Sequence, residues 1–301
     1  MTSTTDTVQA PQAPRPSRPT VKAKASRFPV YLAVGLITML WTIPSLGLLI
    51  NSFRAPQSIR ASGWWTVIGE VFDSATWTIQ NYQEVLATGF SNAFANTVAV
   101  TIPSVVIPIT VAAFAAYAFA WMDFPGRNLI FIAVVGLLVV PLQMALIPVL
   151  RIYTRFDLNG TFPAVWLAHA GFGLPLAIYL LRNYMGSISS SLIESAKIDG
   201  ADHFTIFTRL VVPLSVPVLA SFAIFQFLWV WNDFLVAIVF LGYDPAIRVL
   251  TVELSDLAGR GEGSLSLLPA AAFVTMILPL VVFFALQRYF VRGLTAGSVK
   301  G

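Results

Sequence analysis

Glu194-Ser195-Ala196-Lys197-Ile198-Asp199-Gly200-Ala201, followed by Val212-Pro213-Leu214-Ser215-Val216-Pro217, forms a compact polar segment between two long apolar runs. Ser191 stands three residues before Glu194 in the capping-box spacing, and Gly200 suits the left-handed end of a helix. A short helix is therefore predicted from Leu192 to Asp199. Asp202 is placed to cap a second short helix that carries Phe204, Phe207 and Leu210 at three-residue steps along one face. An apolar face displayed beside a bilayer must pack on something. The choices are the feet of its own transmembrane helices or a groove on another protein.

Outward from this segment the chain is far too apolar for a soluble domain. It is 57% hydrophobic and 11% charged, with a mean hydropathy of +0.78, where soluble domains average about 45–50% and about 25%. The useful count is of runs able to cross about 30 Å of hydrocarbon, roughly 20 residues each. Six are found, at about Pro29–Ile50, Phe94–Trp121, Leu129–Leu150, Phe162–Leu181, Leu210–Val230 and Leu268–Phe290. The fold class is an all-α integral membrane protein, because a lipid-exposed backbone must satisfy its own hydrogen bonds. Every span contains proline, so bent helices are expected. With the N-terminus inside, twelve of the 18 lysines and arginines fall in inner segments, among them Arg15, Lys22, Arg127, Lys197 and Arg288. The positive-inside rule then places both termini in the cytoplasm. The same rule accounts for the net charge of +4 without any nucleic-acid partner.

Residues 1–27 read as a disordered cytoplasmic tail and residues 28–301 as the six-helix domain, with a core at about 92–290 and a coupling segment at about 188–210. The absence of cysteine removes disulfides and thiolate metal sites, and two histidines leave little for metal ligation. The stretch after the first span carries Trp64, Trp65, Phe72, Trp77 and Tyr82, an aromatic belt for the membrane interface or a surface for an extracellular partner. Met122-Asp123-Phe124-Pro125-Gly126-Arg127 reads as an inner hairpin. From Leu210 to Gly242 the apolar stretch would reach about 50 Å as one helix, so it must tilt, protrude or break, and Trp229-Val230-Trp231-Asn232-Asp233 marks its outer boundary. Asn232 and Asp233 are either solvated at an interfacial tryptophan belt or lie along a translocation path, where amide and carboxylate bond sugar hydroxyls and tryptophan faces stack on them. Gln143, Asn96, Gln226 and His169 are interhelical hydrogen-bonding groups or, for the first three with Trp231, further path candidates.

Glu-x-Ala-x-x-x-Gly from Glu194 to Gly200, with Pro213 thirteen residues on, resembles the signature loop of ABC import permeases, departing from it at Ser195 and Val212. Further stretches resemble the carbohydrate branch, the maltose-transporter-like permeases with six spans. They are Asn96-Thr97, Ala115-Ala116-Tyr117-Ala118-Phe119-Ala120, Gly173-Leu174-Pro175-Leu176-Ala177-Ile178, Trp231-Asn232-Asp233 and the ending Gly293–Gly301. Ser62-Gly63-Trp64-Trp65 is similar to α-glucoside permeases. The resemblance implies a type I ABC importer permease fold in a bacterial plasma (inner) membrane. It also implies a partner set: a dimeric cytoplasmic ATPase that grips Glu194, Ser195, Ala196, Asp199, Gly200, Ala201, Phe204 and Pro213, a second homologous permease, and an extracytoplasmic sugar-binding protein. The chain has no Gly-x-x-x-x-Gly-Lys-Ser/Thr loop, so ATP and Mg belong to the partner ATPase, with no cofactor and no catalytic residue in this chain. Alternatives are an ABC permease for a non-sugar solute, an ion-coupled secondary transporter, which should carry midplane carboxylates and internal repeats, or a membrane-embedded enzyme, which needs a titratable cluster at one depth.

Overall fold

A computed structural model describes residues 28–70, 73 and 75–296. The tail read over residues 1–27, the aromatic Phe72 and the ending Gly297–Gly301 lie outside the described residues. Two compact units divide the chain, residues 1–45 and residues 46–301. In the first, the described residues are the opening turns of helix α1 (Phe28–Ser52), apolar on all sides, with side chains such as Trp41 and Leu40 exposed. A helix with no polar face suits a lipid surrounding.

The second unit holds the end of α1 and then α2 (Ser91–Trp121), α3 (Arg127–Gly136), α4 (Leu142–Arg155), α5 (Phe162–Met185), α6 (Ser190–Ile198), α7 (His203–Trp231), α8 (Leu235–Phe240), α9 (Leu250–Gly259) and α10 (Leu267–Ala296). Among the described residues no strand forms; Arg54 and Trp77 make one isolated antiparallel bridge. Among the described residues, five helices are long and apolar enough to span a bilayer. The run expected at Leu129–Leu150 differs, being two helices bent by 104°. Pro141 is the cause. It restricts Val140 to extended backbone (φ −72°, ψ 115°) and opens α4 afresh. The fifth span also differs, because the short helix expected after Asp202 is continuous with it through a π turn at Phe207–Val211. At its far end the 33-residue apolar stretch does break, at Asn232, and resumes as α8.

Packing follows small residues. Ala112, Ala113 and Ala116 of α2 share one cluster with Ala177 and Leu181 of α5, letting the two backbones run close. Phe222 of α7 and Ile193, Ile206 and Phe207 of the polar segment complete that cluster. A second cluster joins Val100, Ala164, Val165 and Ala168 to α8, and a third joins Phe90, Ala93 and Trp231 to Ala270 and Ala271 of α10. Between α1 and α2 the chain folds around Arg54, which is fully buried. Its guanidinium donates to Asn51 Oδ1, the carbonyls of Ser58 and Ser62 and the Ser62 hydroxyl. Asn81 Nδ2 closes the same segment by donating to the carbonyls of Ser52 and Arg54.

Candidate functional site

The polar segment is an elbow of two helices with different inner and outer faces. α6 begins at Ser190 with Ser189 as N-cap, earlier than the expected Leu192. No capping box forms. Ser189 occupies the cap position, so Ser191 lies inside the first turn and its hydroxyl pairs with that of Ser189 at 2.7 Å. The other end follows the sequence reading. Gly200 takes φ +83°, Ala201 N–H donates to Ala196 O at 2.9 Å and Gly200 N–H to Lys197 O at 3.0 Å, the pattern of a Schellman stop. Asp202 then caps α7, its Oδ1 accepting Thr205 N–H at 2.8 Å. Hydrogen bonding by Thr205, first from its side chain and then from its backbone N–H, holds the Asp202 carboxyl below its usual range.

Ile193, Ile206, Phe207 and Val211 face into the bundle. Phe207 packs tilted against Phe114 and edge-on against Tyr117 of α2, at ring-centroid distances of 4.6 and 5.3 Å, and Tyr117 Oη lies 2.9 Å from His203 Nδ1. The outer face presents Leu192, Ile198, which is 85% exposed, and Phe204, which is 64% exposed, among Glu194, Lys197 and Asp199. Ser195, Gly200 and Pro213 are exposed too, while Ala196 and Ala201 are half-buried. The π turn lies where the elbow enters the span, a widened turn of a kind that recurs at functional sites.

The path candidates are dispersed rather than gathered. Asn96 Nδ2 donates to the carbonyls of Ala246 and Arg248 at 3.0 Å, pinning the segment before α9 to α2. Gln226, fully buried, donates to the carbonyls of Ser104 and His169 at 3.2 Å. Trp231, 1% exposed, donates to Thr275 O at 3.0 Å. Asp233 Oδ2 accepts Ala237 N–H at the start of α8 and lies 3.7 Å from His169 Nε2. Asn232 and Gln143 are exposed, although Asn232 Nδ2 also donates to Leu228 O at 2.7 Å. A cavity of about 440 Å³ lies along α4, α5 and α7, lined by aliphatic side chains with Tyr153, Phe172 and Trp229. On α9, the hydrogen bond from Arg260 holds the Asp256 carboxyl low, and Arg248 pairs with Glu253 at 2.9 Å. Tyr117 falls in the Ala115–Ala120 stretch without a role assigned to it from sequence, and no local motif marks His203, Trp166 or Arg54 as functional.

These features define a polytopic helical membrane protein whose aqueous elbow is built into the base of its transmembrane bundle. The chain belongs to the family of binding-protein-dependent transport system inner membrane components, whose description matches residues 93–296, and it is a membrane-embedded ABC permease. It is 55% identical to the osmoprotective compounds uptake permease protein GgtD of Synechocystis sp., over 91% of this chain and 92% of that one. It is 44% identical to the alpha-glucoside transport system permease protein AglG of Rhizobium meliloti, over 90% and 97%. In fold it is similar to a chain of a bacterial ABC transporter involved in the import of the acidic polysaccharide alginate, with a TM-score of 0.72 and 22% identity over 89% of this chain and 98% of that one.

Proposed function

We propose that this chain is one of two permease subunits of a binding-protein-dependent importer of a neutral sugar, an α-glucoside or a short oligosaccharide, with ATP and Mg bound by a separate dimeric ATPase. The observation that carries the reading is the two-faced elbow. Its inner residues Ile193, Ile206 and Phe207 are core to the bundle, and its outer residues Leu192, Ile198 and Phe204 are exposed beside Gly200. A lever needs both properties, a rigid root and a face that a motor can grip. Closure of the ATPase around α6 would push on α7 through the π turn and on α2 through Phe207 and Tyr117.

The sugar class is supported by the relatives named for osmoprotective compounds and alpha-glucosides. Amide and indole groups such as Asn232, Gln143 and Trp229 suit uncharged hydroxyl-rich solutes. An extracytoplasmic binding protein delivers the sugar, and both termini face the cytoplasm. Copurification in mild detergent, followed by reconstitution, tests this. The chain should bring down an ATPase and a second permease, and vesicles should concentrate maltose only when these, the binding protein and ATP are all present. Concentrative uptake by vesicles holding this chain alone would overturn the proposal.

A further inference from the structure

A proline inside a helix deletes one helical hydrogen bond, leaving the carbonyl four residues earlier without its amide, and of the seven such prolines in the described helices, which also include Pro44, Pro148, Pro175 and Pro217, three stand out. Pro103 does this to Ala99 O, Pro108 to Ser104 O and Pro279 to Thr275 O. In each case a side chain from another helix donates to that carbonyl. Trp166 Nε1 of α5 reaches Ala99 O at 3.0 Å, Gln226 Nε2 of α7 reaches Ser104 O at 3.2 Å, and Trp231 Nε1 of α7 reaches Thr275 O at 3.0 Å. Buried backbone groups in an apolar surrounding must find partners, and here the partners come across the helix interfaces.

We infer that Trp166, Gln226 and Trp231 are positioning residues for transport, each fixing a proline bend of a neighbouring span by taking the carbonyl that the proline has freed. The bends of α2 and α10 are thereby set from α5 and α7, and the four helices are tied at defined depths, so that a push on α7 is delivered to α2 and α10 through polar contacts as well as packing. Room for the middle tie is built in. A Cβ on Gly173 of α5 would lie 2.7 Å from Gln226 Oε1. The outer tie is equally enclosed, with Trp231 between Phe94 and Phe227 at centroid distances of 5.6 Å.

The geometry stands whatever the cargo; only the uptake arm of the test rests on the importer reading. Trp231→Phe keeps a ring and removes the donor, and in vesicles with the complete transporter it should slow maltose uptake roughly five-fold, the worth of one hydrogen bond, and lower the thermal midpoint of the purified complex. Pro279→Ala returns an amide to Thr275 O, so in that background Trp231→Phe should be close to neutral in both measurements. A purely space-filling role predicts the same loss with and without the proline, and that result would overturn the inference. Should either variant fail to fold, the cycle of Trp166→Phe with Pro103→Ala, at a half-buried indole, makes the same demand: loss that depends on the proline supports the tie, and loss independent of it refutes the tie. Thermal midpoints alone decide the matter if uptake is absent from every sample for want of the right sugar.

Discussion

Gly200 sits at φ +83°, and a Cβ built on it meets nothing within 4 Å, so the demand for glycine arises in the backbone and not in crowding. Gly200→Ala should destabilise the elbow by about 1–2 kcal/mol, the cost of left-handed backbone for a residue with a Cβ. Gly200→Asn, whose side chain tolerates that region, should keep most of the thermal stability and uptake that alanine loses. Equal loss in the two variants would place the constraint in a docking partner rather than in the chain turn. Nearby, Tyr117→Phe removes the 2.9 Å hydrogen bond to His203 Nδ1 while leaving the ring against Phe207. Thermal unfolding should register about 1 kcal/mol. Asp202 adds a pH dependence. Its native pKa is depressed by hydrogen bonding from Thr205, so its capping contribution is complete above the ordinary aspartate value of about 3.9 and is lost as pH falls through the lower native value. The protection of the Thr205 amide, relative to its intrinsic exchange rate at each pH, should therefore decline only as the pH falls below the ordinary aspartate value, and Asp202→Ala should abolish that dependence. The cap and the glycine stop were legible in the sequence because each is a contact over a few residues. Ser191 and Glu194 misled because Ser189 and Ser190, also able to cap, stand just upstream; choosing among three consecutive serines depends on how α6 docks through Ile193, which is a tertiary matter.

At the scale of helices, apolar length located the spans, and α5 begins at Phe162 as read. What length could not give was the 104° bend in the third span. A proline is visible at 141, but whether it kinks or fully breaks a span depends on what receives the two halves, and α4 is received by α5, α8 and the cluster around Leu146. The path residues were legible only as polar groups in apolar runs. Their geometry shows that several serve the backbone of neighbouring elements: Asn96 holds the segment before α9, and Gln226 and Trp231 hold carbonyls on other helices. No single-sequence pattern pairs a donor with a carbonyl 122 positions away. The α5–α7 contact yields a prediction at this scale. Gly173→Ala places a Cβ 2.7 Å from Oε1 of the fully buried Gln226, whose amide must give up its bonds to Ser104 O and His169 O to move away. Overpacking of this kind costs about 1–3 kcal/mol, and the thermal midpoint should fall accordingly. Gly173→Ala combined with Gln226→Ala should recover part of the loss, since the second change vacates the volume that the first one claims. Failure to recover would mean that α5 and α7 are held apart elsewhere. Between α1 and α2 the comparable element is the loop wrapped on Arg54, where Arg54→Met leaves the carbonyls of Ser58 and Ser62 without their donor. Lost bonds to a charged group of this sort are worth about 1.5–3 kcal/mol each in stability, so this segment should become protease-sensitive while α5 stays protected.

For the molecule as a whole, the decisive quantity is which side of the membrane each end of the bundle faces. The elbow can meet a cytoplasmic motor, and the Arg54 and α9 segments an extracytoplasmic partner, only if they lie on opposite sides with the elbow inside. The distribution of lysine and arginine favours that arrangement, twelve against six, but retention of charge is a statistical influence on insertion and not a contact that folding enforces. A chain with no cysteine offers an unusually clean reading, since a single introduced thiol is the only one present. Ile198 on the elbow is 85% exposed and Ile68, in the segment between α1 and α2, is 84% exposed, so both sites are open to reagent without disturbing packing. In intact cells a membrane-impermeant maleimide should label Ile68→Cys and leave Ile198→Cys untouched, and in inverted membrane vesicles the pattern should reverse. Labelling of Ile198→Cys from outside would put the lever on the wrong side of the bilayer from any ATPase, and no rearrangement of the helices could then rescue coupling through Gly200. If the orientation holds, the Ile198 thiol gives a second measurement in the same samples. On the proposed coupling, its reaction rate in inverted vesicles should fall when an ATPase is bound to the elbow and return when the ATPase is stripped, because Ile198 faces solvent in the free chain beside the residues proposed to dock.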